Sequence, residues 1–360
     1  MTKRIVIFIL FLTHFQHLFS QTGGNNTYEF LNLSSSARLG ALGGTQLSVQ
    51  DNDLNLAFSN PALLNPAMSK AITFSYVPYF ADIKYGYAGY AQEIKNLKGT
   101  FSAGIHFVNY GEFIRADVTG EQQGTFNAAE YSFNLSYSRL LHERVTGGFT
   151  LKTIYSSLED FSSTGMAVDL GIFYHNEKNN FGLAGVIKNI GMQLSTYTQG
   201  DREPLPFEVQ LGISYRLPKA PLRLSLTATH LEKPNLTYTN PALVNETDPI
   251  TGEPIENKIS LFEKIACHAI IGGEILITQN FHLRLGYNYM RRQDLGLSSR
   301  MSISGFSGGF GFRISKFHFS YGRAAYHVAG ASNHFSITTN ISEFSKKKKE
   351  KEIYDLNLEK

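Results

Sequence analysis

The stretch Phe281-His282-Leu283-Arg284-Leu285-Gly286-Tyr287-Asn288-Tyr289 alternates without a fault. Every odd position carries a large apolar or aromatic side chain, and every even one carries His, Arg, Gly or Asn. Successive side chains of an extended chain point to opposite faces, so this segment is a strand with one greasy face and one polar or small face. The same pattern recurs in Tyr131-Phe133-Leu135-Tyr137, interleaved with Ser132, Asn134, Ser136 and Ser138. It recurs again in Phe207-Val209-Leu211-Ile213-Tyr215, in Met166-Val168-Leu170-Ile172-Tyr174 and in Phe317-Phe319-Tyr321. Lipid outside and a polar interior require this arrangement.

Working outward, the alternation predicts strands at 71–79, 83–93, 99–110, 128–140, 143–156, 165–175, 179–190, 206–216, 221–231, 264–277, 280–290, 303–313, 316–325 and 333–343. That is about fourteen, an even number, as bacterial single-chain barrels require. No segment after the N-terminus has 18 consecutive apolar residues, so spanning helices are not expected. A closed sheet is the other structure that satisfies every backbone group in hydrocarbon. The fold class expected is therefore an all-β antiparallel transmembrane barrel in an outer membrane. The connections support it. One set is short (94–98, 141–142, 176–178, 217–220, 278–279 and 315). The alternate set is mostly longer (111–127, 157–164, 191–205, 232–263, 291–302 and 326–332), with only 78–82 short. Short turns at one end and long loops at the other place the loops outside the cell and both termini in the periplasm. A soluble all-β sandwich would instead hide its aromatics between sheets.

Composition agrees. The chain of 360 residues has 27 Phe, 19 Tyr and no Trp, and its 32 glycines fall largely within the strands, as curved sheet requires. A net charge of +3 does not argue for nucleic acid, and one cysteine, Cys267, excludes an internal disulfide. Lys3 and Arg4 followed by the apolar run Ile5–Leu12 read as a signal peptide over 1–20, cut near Ser20–Gln21. The alternative is an uncleaved anchor, for which the run is short. Residues 345–360, with Lys346 to Lys349 and Lys351, read as a charged periplasmic tail after a barrel over 71–344. Contact with anionic headgroups is the other reading of that tail.

Residues 21–70 do not alternate. Their small residues and glycines permit close packing, so the segment is expected to fold into the lumen as a hatch. Three features stand out: Ala37-Arg38-Leu39-Gly40 through Gly43-Gly44, the cluster Asp51-Asn52-Asp53-Leu54-Asn55, and Asn60-Pro61-Ala62. Together they resemble the hatch region of FadL-like outer-membrane barrels, and within these the PorV/PorQ branch of the type IX secretion system. The resemblance marks Arg38, Gly40, Gly43, Gly44, Asp51, Asp53, Asn55, Asn60 and Pro61 as the hatch motif. It implies a non-enzymatic barrel that docks secretion-system proteins at the cell surface, PorZ-like and PorU- or PorV-like, beside the lipid of the outer membrane. A FadL-like transporter of hydrophobic small molecules is the alternative. The candidate dock is the longest loop, with turn signals at Asn240, Pro241, Asp248, Pro249, Gly252 and Pro254.

Chemical motifs are few. Gly305-Phe306-Ser307-Gly308-Gly309 matches a hydrolase nucleophile pattern, but it lies in an alternating strand with no helix after it. Asp51-Asn52-Asp53 starts like a calcium loop, yet Leu56 and Ala62 stand where glycine and glutamate are needed, so an Asx-capped turn is expected. His106, His282 and His318 fall singly on strands, and Arg284 and Arg313 are expected to pair with carboxylates inside the barrel. No catalytic, cofactor or metal residues are assigned.

Overall fold

The computed structural model describes residues 26–176, 178, 180–200, 202–237, 260–295, 304–327 and 330–344. The expected signal peptide, the lysine-rich tail and the turn residues Asn240 to Pro254 lie outside these residues.

Fourteen strands form one closed antiparallel barrel. They are β1 (Ala71–Pro78), β2 (Lys84–Ile94), β3 (Gly99–Ala116), β4 (Gln122–His142), β5 (Val145–Leu158), β6 (Phe161–Asn176), β7 (Phe181–Ser195), β8 (Glu208–Arg216), β9 (Leu222–Ala228), β10 (Ala269–Ile275), β11 (Phe281–Asn288), β12 (Phe306–Ile314), β13 (Phe317–His327) and β14 (Gly330–Asn340). Each strand pairs with its neighbours in sequence, and β1 closes the ring on β14 with Ala71 opposite Asn340 and Phe74 opposite Ile337. No described strand is left with an open edge, so no row of backbone groups faces hydrocarbon unpaired.

The wall has the polarity of a membrane barrel. On β4, Phe133 and Leu135 are more than half exposed on the outer face, whereas Ser132, Asn134 and Ser136 are buried inside. Ile172 on β6, Leu211 on β8, Leu285 on β11 and Phe335 on β14 continue the outer apolar belt. A soluble sheet would be arranged the other way round.

All fourteen expected strands are present, but the structure corrects their ends. The expected long connections 111–127 and 157–164 are largely strand, whereas 191–205 is strand only as far as Ser195. β3 and β4 run on to a turn at 117–121, β5 and β6 meet around Glu159–Asp160, and β7 continues to Ser195. The extensions of β3 and β4 lack a clean apolar alternation because they rise beyond the membrane band, and cross-strand pairing holds them, as where Phe113 stacks on Phe126 at 5.2 Å. The extension of β7 keeps it, with Met192 and Leu194 exposed on either side of buried Gln193. The expected strand from 264 starts instead with a helix. Helix α3 (Leu261–Cys267) precedes β10, and helix α4 (Tyr289–Leu295) follows β11. Ser260 and Glu263 form a capping box that starts α3 (Glu263 N donates to Ser260 Oγ at 3.1 Å, and Ser260 N donates to Glu263 Oε2 at 3.0 Å).

The result is a wall of uneven height. β3 to β7 are 14 to 21 residues long, and β8 to β12 are 7 to 9.

The core sits in the lumen and is made by the hatch. Helices α1 (Ala37–Ala41) and α2 (Leu56–Ser59) and three single 3-10 turns fold into it. Leu39, Leu47, Leu54, Leu56, Leu63 and Leu64 are all fully buried there. Two Asn-Pro pairs set the turns. Asn60 Oδ1 accepts from Ala62 N at 2.9 Å and Asn65 Oδ1 from Ala67 N at 3.0 Å, with Pro61 and Pro66 at the first position, where a missing N–H costs nothing.

Candidate functional site

The hatch is fixed to the wall by one buried ion cluster. Ser36 caps α1 by accepting from Leu39 N, which sets Arg38 on the helix face toward β10. Arg38 uses all five of its N–H donors. Nε donates to Glu274 Oε1 (2.9 Å), Nη1 to Asp51 Oδ1 and Asp53 Oδ2 (3.1 Å each), and Nη2 to Asp51 Oδ2 (2.8 Å) and Glu274 Oε2 (3.0 Å). The sheet register supplies the rest. Glu274 on β10 lies directly across from Arg223 on β9 and Arg284 on β11, and it accepts from them at 2.8 and 3.2 Å. Three guanidinium groups therefore meet three carboxylates. Burial opposes the charge on Asp51, but Arg38 beside it, with Arg223, prevails and holds the carboxyl below its ordinary value. Burial likewise opposes the charge on Arg38, and Asp51, Glu274 and Asp53 outweigh it.

The two aspartates also form the expected Asx turns, with Asp51 Oδ1 accepting from Asp53 N and Asp53 Oδ1 from Asn55 N, both at 3.1 Å. Asn55 then ties the hatch to β1, accepting from Thr73 Oγ1 at 2.9 Å. Close approach does the same elsewhere. Helix α1 lies on Gly322 and Gly309, and a Cβ at Gly322 would strike the carbonyl of Ala37. Gly43, with φ +93°, brings its backbone against Gly286. Gly40 packs against His334, Gly44 against Arg291, and Asn60 with Pro61 sits over Gly171. Every residue of the expected hatch motif is thus in the lumen, and Arg38, Asp51 and Asp53 are brought together.

A second buried pair, unforeseen from the sequence, lies at a bulge where Asp169 of β6 faces Lys188 and Asn189 of β7. Lys152 Nζ reaches Asp169 at 2.7 Å and donates to Asn189 Oδ1 at 2.8 Å. Asp169 accepts from Asn189 N at 2.8 Å, which holds Asn189 at φ +58°. The signal was there to find: a charged residue of inward parity inside an alternating strand.

Among the described residues, a space lies in the lumen on each side of α1. Toward the short turns lies a vestibule of about 600 Å³, lined by Arg38, Asp51, Arg216, Arg223, Arg313 and Lys316. Toward the long connections lies a cavity of about 150 Å³, behind the low wall of β8 to β11. Leu39, Phe58, Ile270 and Met290 give it an apolar side, and Ser34, Ser35, Lys188, Glu208 and Gln210 a polar one. The hydroxyls of Ser34, Ser35 and Thr45 and the Gln210 carbonyl are buried there with no hydrogen-bond partner among the described residues. Lys188 is 6% exposed, makes no ion pair among the described residues, and lies 5.9 Å above the Phe58 ring. His230 stands at the rim. Burial disfavours its protonation, but Glu232 and Glu208 outweigh that and raise its pKa.

The other sequence readings fall into place. Ser307 donates to the Ala41 carbonyl at 3.0 Å from within β12, a packing role. Arg284 pairs with Glu274 as expected, and Arg313 pairs with Glu343 at 2.6 Å on the exposed rim. His282 and His318 face each other at 6.3 Å, and no group of three metal-ligand side chains occurs among the described residues.

No family model matches the chain, and no curated protein matches it. Among solved structures it is similar to the Pseudomonas putida toluene transporter TodX, at 13% identity over 85% of this chain and 96% of that one, with a TM-score of 0.47. It is also similar to a Pseudomonas aeruginosa FadL homologue (12% identity, 85% and 98% covered, TM-score 0.49) and to the monoaromatic hydrocarbon channel CymD (11%, 86% and 96%, 0.48).

Proposed function

We propose that the barrel is an outer-membrane transporter that admits a small amphiphilic molecule from the cell surface, its long connections outside and its termini in the periplasm. The cavity behind the low wall carries this reading. Unpartnered buried hydroxyls, an amide carbonyl and an ammonium group line one side, and an aromatic and aliphatic surface lines the other. Buried polar groups left unpaired cost free energy, and a ligand that pairs them recovers it. A space of about 150 Å³ is the size that takes a single benzene ring. The ligand class is therefore a compact ring with a hydrogen-bonding, preferably anionic, head for Lys188. Transfer to the vestibule requires α1 to move, because α1 stands between the two spaces. Uptake of benzoate, phenol and toluene into vesicles holding the purified barrel tests this. Benzoate uptake above that of empty vesicles, reduced by Lys188→Met, is expected, and equal uptake with and without the barrel refutes it.

A second reading is favoured by the filled lumen: a surface anchor for secretion-system proteins of PorZ-, PorU- or PorV-like kind. Pull-down of the intact barrel from membranes would then recover large surface proteins, and deletion would release secreted proteins while leaving small-molecule uptake unchanged.

A further inference from the structure

The low side of the wall is too short for the membrane it crosses. β9 and β10 have seven residues each, and the bonds from Thr229 N to the His268 carbonyl and from Leu276 N to the Pro221 carbonyl carry their pairing one residue further at each end. At about 3.3 Å per residue and a tilt of about 45°, a paired stretch of that length rises roughly 21 Å. The apolar band of such barrels is about 25 Å tall. Roughly 4 Å of hydrocarbon therefore faces whatever stands above β10. What stands there is α3, which leads directly into β10 and is about 10 Å both long and across.

The exposed side of α3 is the apolar one. Leu261, Phe262 and Ile265 are 74%, 73% and 62% exposed, while Ala266 and Cys267 on the opposite face are buried. Below them the outer face of the sheet continues the same surface through Ile271 on β10 and Leu226 on β9. Phe262 meets Tyr289 of α4 edge-on at 6.5 Å, next to the outer aromatic pair Tyr287–Phe306. Tyrosine at this height suits the boundary between headgroups and acyl chains.

We infer that α3 is an in-plane membrane helix that lays Leu261, Phe262 and Ile265 into the acyl chains of the outer leaflet and so completes the lipid-facing wall where β9 and β10 fall short. The occupant of this face is lipid, because the face is continuous with the belt that lipid already covers and supplies the height that the strands lack. The inference needs only the membrane barrel and is independent of what the lumen carries.

The sequence has no tryptophan, so one introduced indole reports its own surroundings. Phe262→Trp is compared with Leu285→Trp on the outer wall and Val118→Trp at a fully exposed turn. All three are placed in phosphatidylcholine vesicles whose acyl chains carry bromine at different depths. Phe262→Trp is expected to be quenched at least about half as strongly as Leu285→Trp, most by bromines nearest the headgroups, as a helix about 5–10 Å deep would be. Val118→Trp is expected to be unquenched. Ile265→Trp serves if Phe262→Trp does not fold. Emission from position 262 or 265 that brominated lipid leaves as unchanged as at 118 overturns the inference. So does emission that responds to added surface proteins and not to lipid, which would make α3 a protein contact.

Discussion

Arg38→Ala should unlock the hatch without unfolding the barrel. The substitution removes five donated hydrogen bonds and leaves Asp51, Asp53 and Glu274 facing only Arg223 and Arg284, so the cluster goes from balanced (three against three) to one excess negative charge. Removing one partner of a buried ion pair costs about 3–5 kcal/mol. At about 1.4 kcal/mol per tenfold, the ratio of displaced to seated hatch rises roughly a hundred- to several-thousand-fold. The loss falls on docking and not on the wall, because Arg38, Asp51 and Asp53 belong to the hatch while Glu274 keeps both of its cross-strand arginines. The assay is single-channel recording in planar bilayers with hydrogen exchange of the amides of residues 37–55. Arg38→Ala should show frequent openings and faster exchange there, with protection of β3 to β7 unchanged. Arg38→Lys should fall between, since an ammonium group cannot fork among three carboxylates. Arg115→Ala, which removes an exposed pair with Glu159 and Asp160, should behave as wild type. A silent Arg38→Ala channel with unchanged hatch exchange would refute the lock.

The remaining predictions concern pH, packing and the second pair. Asp51 is held below its ordinary value of 3.8, so its contribution is complete above that pH and is lost as pH falls through the lowered value. Conductance should therefore stay closed from pH 7 to 4 and rise only in stronger acid, and openings at pH 5–6 would contradict this. Gly322→Val should displace α1 from β13, since a Cβ there meets the Ala37 carbonyl, and cysteine-accessibility labelling at position 37 would rise while the barrel still resists unfolding in detergent. Asp169→Asn leaves Lys152 without its carboxylate and should lower barrel stability by about 3–5 kcal/mol in urea titration, with hatch exchange less affected than in Arg38→Ala.

The alternation of Phe281 to Tyr289 and its counterparts was enough to count the strands and to predict a closed barrel, because a strand's two faces are a local property with a fixed period of two. The Asx turn at Asp51 was legible for the same reason, being set by side chains within three residues of the backbone they bond; the turns at Asn60-Pro61 and Asn65-Pro66 are as local and were found only in the structure. The ends of the elements were less legible. Above the membrane band the alternation fades while pairing persists, so 111–127 looked like a loop. The Ser260–Glu263 capping box was written in the sequence and lay just ahead of an apolar run that suits helix and strand equally. The meeting of Arg38 with Glu274, 236 residues away, was decided only by the tertiary structure. Lumen-facing charges have no period to follow. Strand register puts Glu274 between Arg223 and Arg284, and the seating of α1 brings Arg38 and its two aspartates to that point. The uneven wall, the cavity behind its low side and the apolar helix above it follow from the same closure, which sets every strand's height against its neighbours and cannot be read one segment at a time.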